Sequence, residues 1–377
     1  MFRKGRLIGF LLTALFLWIV ARNVSLAELV TAFQSADYRL VLPAALATFC
    51  GYLLRTVRWQ YIVRPVAPLA FGPAFAVLMM GFTANNLLPA RLGEFVRAYM
   101  LRRKTGARKT YGMATIILER VCDGVTLIVL LGMVSLLMPL PAWGQEVQII
   151  SSVLFLGAAA GMIAVLAKES LAMAVVALAF RPLPARVSGG LLHAATAFIA
   201  GLHSLKSRST LLGVVSLSVV VWLLEASSYL LITRAFGVGL QPSTQVLAAV
   251  FLLVVVNLGI MLPSAPGYIG TFQFFAVMAL GVFGIPKETA LAVAISSHLM
   301  QYVMVTAVGI VFFLRENLGL WSLGEKAEQE AAAEDDATGE LPPERAATET
   351  VTTMAAEARA AVLDRDVRVT THKPTEG

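Results

Sequence analysis

Residues 85–104 read NNLLPARLGEFVRAYMLRRK and end an apolar run, residues 71–88, with two amides, a proline and a burst of positive charge. Lys and Arg beside membrane spans collect on the cytoplasmic side. Arg3, Lys4 and Arg6 place the N-terminus inside, the loop at 22–39 suits the outside, and a second apolar run delivers Arg55, Arg58 and Arg64 to the inside. A full crossing by residues 71–88 would then leave Arg91, Arg97, Arg102, Arg103, Lys104, Arg108 and Lys109 outside, against the rule where its signal is strongest. The economical reading is a re-entrant hairpin that enters from the cytoplasm, breaks near Asn85-Asn86 and returns through residues 89–100. Irregular backbone at membrane depth is tolerated only where protein or water surrounds it, so the break implies a cavity.

Composition supports the membrane setting. Of 377 residues, 58% are hydrophobic and 14% charged, and the mean hydropathy is +0.77, far above that of a water-soluble domain. A span needs roughly 20 mostly apolar residues. Runs at 7–21, 40–54, 113–140, 147–167, 211–232 and 291–314 supply about six full spans of an all-α polytopic membrane protein. The start resembles a signal peptide with Ser25-Leu26-Ala27 as a cleavage site, but an uncleaved first helix is preferred.

Charge divides the chain into two domains. Residues 1–314 hold 23 basic and 9 acidic residues, whereas residues 315–377 hold 7 basic and 14 acidic ones and no apolar period. The second part reads as a disordered, acidic cytoplasmic tail, because it has too little apolar surface to offset the entropy of ordering. Its Asp364-Arg365-Asp366 imitates a sugar-nucleotide metal motif and is read as plain charge patterning. Cys50 and Cys122 lie in apolar runs and read as small core packers, not a disulfide. Residues 191–205 read as a helix along the cytoplasmic interface.

A second anomaly follows at 246–284. An apolar run, the sequence LPSAPGYIG (262–270) and a run too short to span read as a hairpin entering from outside. Both breaks carry the pattern LPxxxG after an asparagine: Leu88 to Gly93 after Asn86, and Leu262 to Gly267 after Asn257. Two broken hairpins from opposite faces suggest an inverted repeat, the arrangement in which transporters build a binding site from interrupted helices.

The substrate-binding candidates cluster at these breaks. Asn86, beside Asn85, is expected to cap the returning helix, with Pro89 in its first turn. The free amides of that helix start favour an anion such as a lipid phosphate. Arg91, Glu94 and Arg97 fall at three-residue spacing beside Gly93, so Glu94 can neutralise one arginine and leave the other for substrate. In the next span Glu119 and Asp123 share a face; Arg120 either pairs with Asp123, leaving Glu119 to balance Arg91 or Arg97, or stays free of it. Ionisable groups at that depth face protein or a cavity rather than lipid. Glu225 either binds an amine or relays a proton, or is a buried carboxyl bonded to Ser227, Ser228 or a neighbouring helix. Ser296, Ser297, His298 and Gln301 suggest interhelical hydrogen bonds. Pro263, Pro266, Gly267 and Gly270 make the second break, and Ser264 is expected to cap its returning half-helix.

The sequence contains no GxxxxGK[ST] loop, no HExxH and no paired Cys/His spacing, so no nucleotide, metal or other cofactor is expected, and no nucleic-acid partner. The strings NNLLPARLGEFVR (85–97), ATIILERVCD (114–123) and LPSAPGYIGTFQ (262–273) resemble the lysylphosphatidylglycerol synthase transmembrane, or flippase-like, family over most of residues 1–314. The resemblance implies a multi-pass protein of the bacterial inner membrane, both termini cytoplasmic, that moves a phosphate-bearing or polyisoprenoid-linked lipid between leaflets. It places Arg91, Glu94, Arg97, Glu119, Arg120 and Asp123 on the family's polar motif positions. Only 63 residues follow residue 314, too few and too polar for the aminoacyltransferase domain of bifunctional members, so an enzyme is the less favoured reading. The alternatives are a membrane-embedded transferase acting on a prenyl or phospholipid, and a non-transporting partner of lipid-synthesis enzymes. The expected partners are membrane lipids and such enzymes.

Overall fold

A computed structural model describes residues 2–22, 24–88, 91–169, 207–262, 264–316 and 318, with isolated positions between 170 and 206. Among the described residues the chain is helical, with no strand. The helices are α1 (Phe2–Ala21), α2 (Leu26–Gln34), α3 (Val41–Val63), α4 (Phe71–Leu87), α5 (Gly93–Thr105), α6 (Lys109–Leu137), α7 (Ala142–Ala167), α8 (Arg208–Ala235), α9 (Pro242–Gly259), α10 (Thr271–Gly281) and α11 (Lys287–Arg315). The interfacial helix expected at 191–205, the tail from residue 319 on, Pro89 and Pro263 lie outside the described residues.

Among those residues six helices are long and apolar enough to cross a membrane: Tyr38–Val63, Lys109–Leu137, Ala142–Ala167, Arg208–Ala235, Pro242–Gly259 and Lys287–Arg315. Five match the spans expected from sequence. The sixth, α9, is a hairpin arm in the sequence reading, while the expected first span, 7–21, lies within α1, whose residues 9–21 meet α2 at 85°. Ser25 forces this corner: its hydroxyl accepts from the Glu28 amide and starts a new helix.

The exterior is apolar and the interior is polar. Leu136, Leu137, Val153, Leu42 and Leu212 are exposed, as suits a surface solvated by acyl chains, whereas Arg58, Arg97, Glu119 and Asp123 are buried. Cys50 is exposed and Cys122 half-buried, so Cys50 is not the core packer expected; both are free thiols.

Helix ends sort into two groups. At one end, the Tyr111 hydroxyl reaches the carbonyls of Ile62 and Val63, joining the start of α6 to the end of α3. Phe75 near the start of α4 meets Phe312 edge to face at 5.8 Å, and Lys104 near the end of α5 pairs with Glu316 just past α11 at 2.5 Å. Both ends of the α4–α5 pair therefore lie where α3 and α11 finish. At the other end, the Asp37 amide donates to Ala235 O at the end of α8. Arg234 meets Gln245 of α9 at 3.0 Å, and Phe251 packs on Phe283 past α10. The start of α9 thus lies beside the end of α8.

Each pair sits in its own apolar core. Trp59, Met79, Leu92, Met100, Tyr111 and Phe313 surround α4–α5, and Leu131, Trp222, Phe251, Val254, Phe272 and Leu280 surround α9–α10. The tight approach of α4 and α5 explains two glycines. A Cβ on Gly93 would overlap the Gly81 carbonyl, and one on Gly81 would overlap the Arg97 chain. Small residues at such crossings let backbones meet.

Candidate functional site

The two breaks meet. Among the described residues, Arg91 (φ 55°) and Tyr268 (φ 59°) are the non-glycine residues with left-handed backbone, one in each break. Such backbone costs a few kcal/mol at most and concentrates at functional sites. The Arg91 guanidinium lies over the Tyr268 ring, 5.6 Å from its centroid. Its Nη2 donates to Ile260 O, satisfying a carbonyl left open at the end of α9, where the helix dipole is negative. Gly267 (φ 68°) sits against the Asn86 carbonyl, where a Cβ would approach to 3.2 Å, and against the Tyr302 ring at 2.7 Å.

Around this junction lies a partly open cavity of about 150 Å³. That is below the ~300–1,000 Å³ of pockets that enclose a whole drug-sized ligand, and suits a headgroup whose chains stay outside. Charged lining comes from Arg55, Arg91, Arg120, Asp123 and Glu225; amide lining from Asn85, Asn86, Asn257 and Gln301; aromatic lining includes Tyr52, Trp222, Tyr229, Tyr268, Phe272 and Tyr302.

Behind the cavity the charges close on one another. Arg58, with 0% exposure, donates to Asp123 at 2.6 Å, to Glu119 at 3.0 Å and to Ser218 at 2.9 Å. Arg97 donates to Glu119 at 2.7 Å and stacks over Trp59 at 4.8 Å. The Trp222 indole N–H donates to Asp123 at 3.0 Å. Removing such charges from water is expensive unless each is paired and hydrogen-bonded. Arg97 Nε and Nη1 are buried with no acceptor among the described residues, and the Trp59 face partly compensates.

Toward the cavity the pairing loosens. Arg55 stands 3.8 Å from Asp123 and 3.9 Å from Glu225, beyond hydrogen-bond length, with its guanidinium over Trp222 at 4.7 Å. Glu225 accepts from Gln301 Nε2 at 2.9 Å. Arg91 has no carboxylate partner among the described residues.

Several sequence expectations need correction. The helix after the first break starts at Gly93, and its amide is taken at 2.9 Å by Asn85; Asn86 instead donates to Thr306 of α11 at 3.0 Å. Asn86 is therefore not the cap, and that first amide is not free for an anion. Arg91 precedes α5 and does not share a face with Arg97. Glu94 pairs with Arg120 at 3.4 Å, not with Arg91 or Arg97, and Arg120 does not pair with Asp123.

Glu119 does balance Arg97. Glu225 is bonded to a neighbouring helix, while Ser228 accepts from Thr48 at 2.8 Å and Ser227 donates to Leu224 O. The returning half-helix α10 is capped within itself, Gly270 N donating to Gln273 Oε1 at 2.7 Å. Ser264 instead packs its backbone against Gly9, beside the Ala265 amide that donates to Thr13. Pro266 opens the short 3-10 turn that carries Gly267. Gln273 Nε2 also donates to His298 Nδ1 at 3.0 Å, and this contact with the Gln301 bond makes two interhelical links of the kind expected in the last span.

Sequence reasoning missed Arg55 and Arg58 as site residues by sending them to the cytoplasmic side. Their three-residue spacing matches the four-residue spacing of Glu119 and Asp123, and two buried acids in one span demand cations on a neighbouring one. That demand was the available signal.

The fold and cavity define a multi-pass helical membrane protein with a charged interior. Within that class, the profile of the lysylphosphatidylglycerol synthase TM region matches residues 6–309, and the chain belongs to this family. It is 26% identical to a protein of Haloferax volcanii named Glycosyltransferase AglD over 85% of this chain and 55% of that protein; the chain thus spans about half of AglD's length. A UPF0104 membrane protein of Methanothermobacter thermautotrophicus is 27% identical over 75% of this chain and 87% of its own length. A second protein of that name from the same organism is 25% identical over 80% and 89%. No solved structure matches.

Proposed function

We propose that the protein carries a lipid with a phosphate-bearing headgroup between the leaflets of a bacterial inner membrane. In this reading α4–α5 and α9–α10 are re-entrant hairpins related as inverted repeats, and their breaks form the headgroup chamber at membrane depth. Both termini then face the cytoplasm. The observation that carries the reading is Arg91, a cavity arginine in strained backbone whose contacts are a carbonyl and an aromatic face. A guanidinium has five N–H donors, so Arg91 can hold a phosphate while remaining on Ile260. Arg55, poised between two carboxylates and bonded to neither, is the second phosphate contact. Asn85, Asn86, Gly93 and the second-break residues Ser264, Pro266, Gly267 and Gly270 shape the chamber. Glu94, Arg97, Glu119, Arg120 and Asp123 hold its wall in charge balance.

Reconstitution into vesicles with fluorescent phosphatidylglycerol tests this reading. Leaflet exchange well above that of empty vesicles, and reduced in Arg91→Ala and Arg55→Ala variants, is expected; wild-type vesicles no faster than empty ones would reject it. A second reading, group transfer onto a prenyl lipid, is favoured by the name of AglD and by Glu225 in the chamber as a base. Product formation by the purified protein with a supplied sugar donor, lost in Glu225→Gln, would select it instead.

A further inference from the structure

We propose that the basic end of α5 is a docking surface for the acidic C-terminal segment of the same chain. The last turn of α5 carries Arg102, Arg103 and Lys104, and Gly106 (φ 74°) ends the helix in left-handed conformation. Arg102 and Arg103 are exposed and touch no carboxylate among the described residues. The negative end of the helix dipole is worth roughly half a charge, so Arg102 and Arg103 leave this end of α5 with a surplus even after Lys104 is paired with Glu316.

The chain leaving α11 is already seated at this place. Glu316 pairs with Lys104 at 2.5 Å. Two residues on, Leu318 packs against the apolar cluster that holds Leu101, with Tyr99 and Ala107 at its edge, and its amide donates to Phe313 O. The first carboxylate of the extension therefore sits on a cation of the patch. Residues 325–349 follow with nine acids (Glu325, Glu328, Glu330, Glu334, Asp335, Asp336, Glu340, Glu344 and Glu349) against two bases, Lys326 and Arg345.

Charges attract across the ~8 Å screening length of physiological salt, and a segment tethered this close to the patch meets it at high effective concentration. The same cations could instead meet anionic lipid headgroups, but the seated Glu316 and Leu318 favour the chain's own segment.

Intrachain cross-linking in the full-length protein tests this. In a Cys50→Ser, Cys122→Ser background, Arg103→Cys is combined with Glu330→Cys, or with Thr371→Cys as a distal control, in phosphatidylcholine nanodiscs. Docking is expected to give roughly fivefold more bis-maleimide product for the Glu330 pair at low salt, falling to the control level at about 1 M salt, where screening shortens to ~3 Å. Replacing Glu325, Glu328, Glu334, Asp335 and Asp336 by Gln or Asn should abolish the excess at low salt. Equal yields for the two pairs at low salt, or an excess that ignores both salt and the neutralised acids, would overturn the proposal. Loss of the excess only when phosphatidylglycerol is added would show that headgroups hold the surface in a native membrane, and would overturn it there.

Discussion

Asp123 and Arg91 line the same cavity and belong to opposite kinds of charge. Asp123 accepts from Arg58 at 2.6 Å and from the Trp222 indole at 3.0 Å, with Arg55 standing off at 3.8 Å. Arg91 rests on a carbonyl and a tyrosine face. The first belongs to a sealed network whose partners are all protein, and its work is to hold α3, α6 and α8 together. The second is held in unfavourable backbone with donors to spare. Buried charge in a membrane protein is therefore not one signal: a cation paired with carboxylates points to architecture, and a cation without one points to a ligand.

The largest effect that would break this contrast is expected on the sealed side. Asp123→Asn leaves the fully buried Arg58 short of its nearest carboxylate, and should cost about 3–5 kcal/mol, read as a lowered unfolding midpoint in detergent. A midpoint equal to wild type would show that the network is not structural. Next comes the open side. Arg91→Gly removes the guanidinium and the left-handed strain together, so stability should stay within about 1 kcal/mol, while lipid exchange falls roughly 10- to 100-fold, the worth of charged hydrogen bonds at about 1.5–3 kcal/mol. Parallel losses of stability and exchange would merge the two kinds of charge into one.

Gly93→Ala tests the scaffold between them. Its Cβ would collide with the Gly81 carbonyl and with Asn85 Oδ1 at 2.6 Å, and overpacking of this kind costs about 1–3 kcal/mol, seen as a lower midpoint. The smallest effect is expected at the surface: Lys104→Ala removes an ion pair that is about a quarter exposed and should change the midpoint by less than about 1 kcal/mol.

Much of this was legible in the sequence. Hydropathy located the long helices, and the clash between the positive-inside rule and residues 85–104 located the first break. The pattern LPxxxG paired it with the second. What composition could not supply was partnership. Glu94, Arg97 and Arg120 are close in sequence to other charges, so local spacing suggested local pairing, but in space Glu119 reaches back to Arg58 on α3 and Glu94 reaches Arg120 on α6. Cap identity was equally local: Asn85 and Asn86 differ by one residue, and the rotation of about 100° between neighbours on a helix sends one to Gly93 and the other to Thr306. The helix α2 was also hidden, because its nine residues lie in the stretch 22–39 that Arg22 and Asn23 open and that reads as a loop.

The most direct test is equilibrium binding of fluorescent phosphatidylglycerol to the purified protein in wild type, Arg91→Gly and Arg103→Gln forms. Binding weakened roughly tenfold or more in Arg91→Gly, about 1.4 kcal/mol, and unchanged in Arg103→Gln is expected if the headgroup sits in the chamber between the breaks. Binding by Arg91→Gly equal to that of wild type would contradict it.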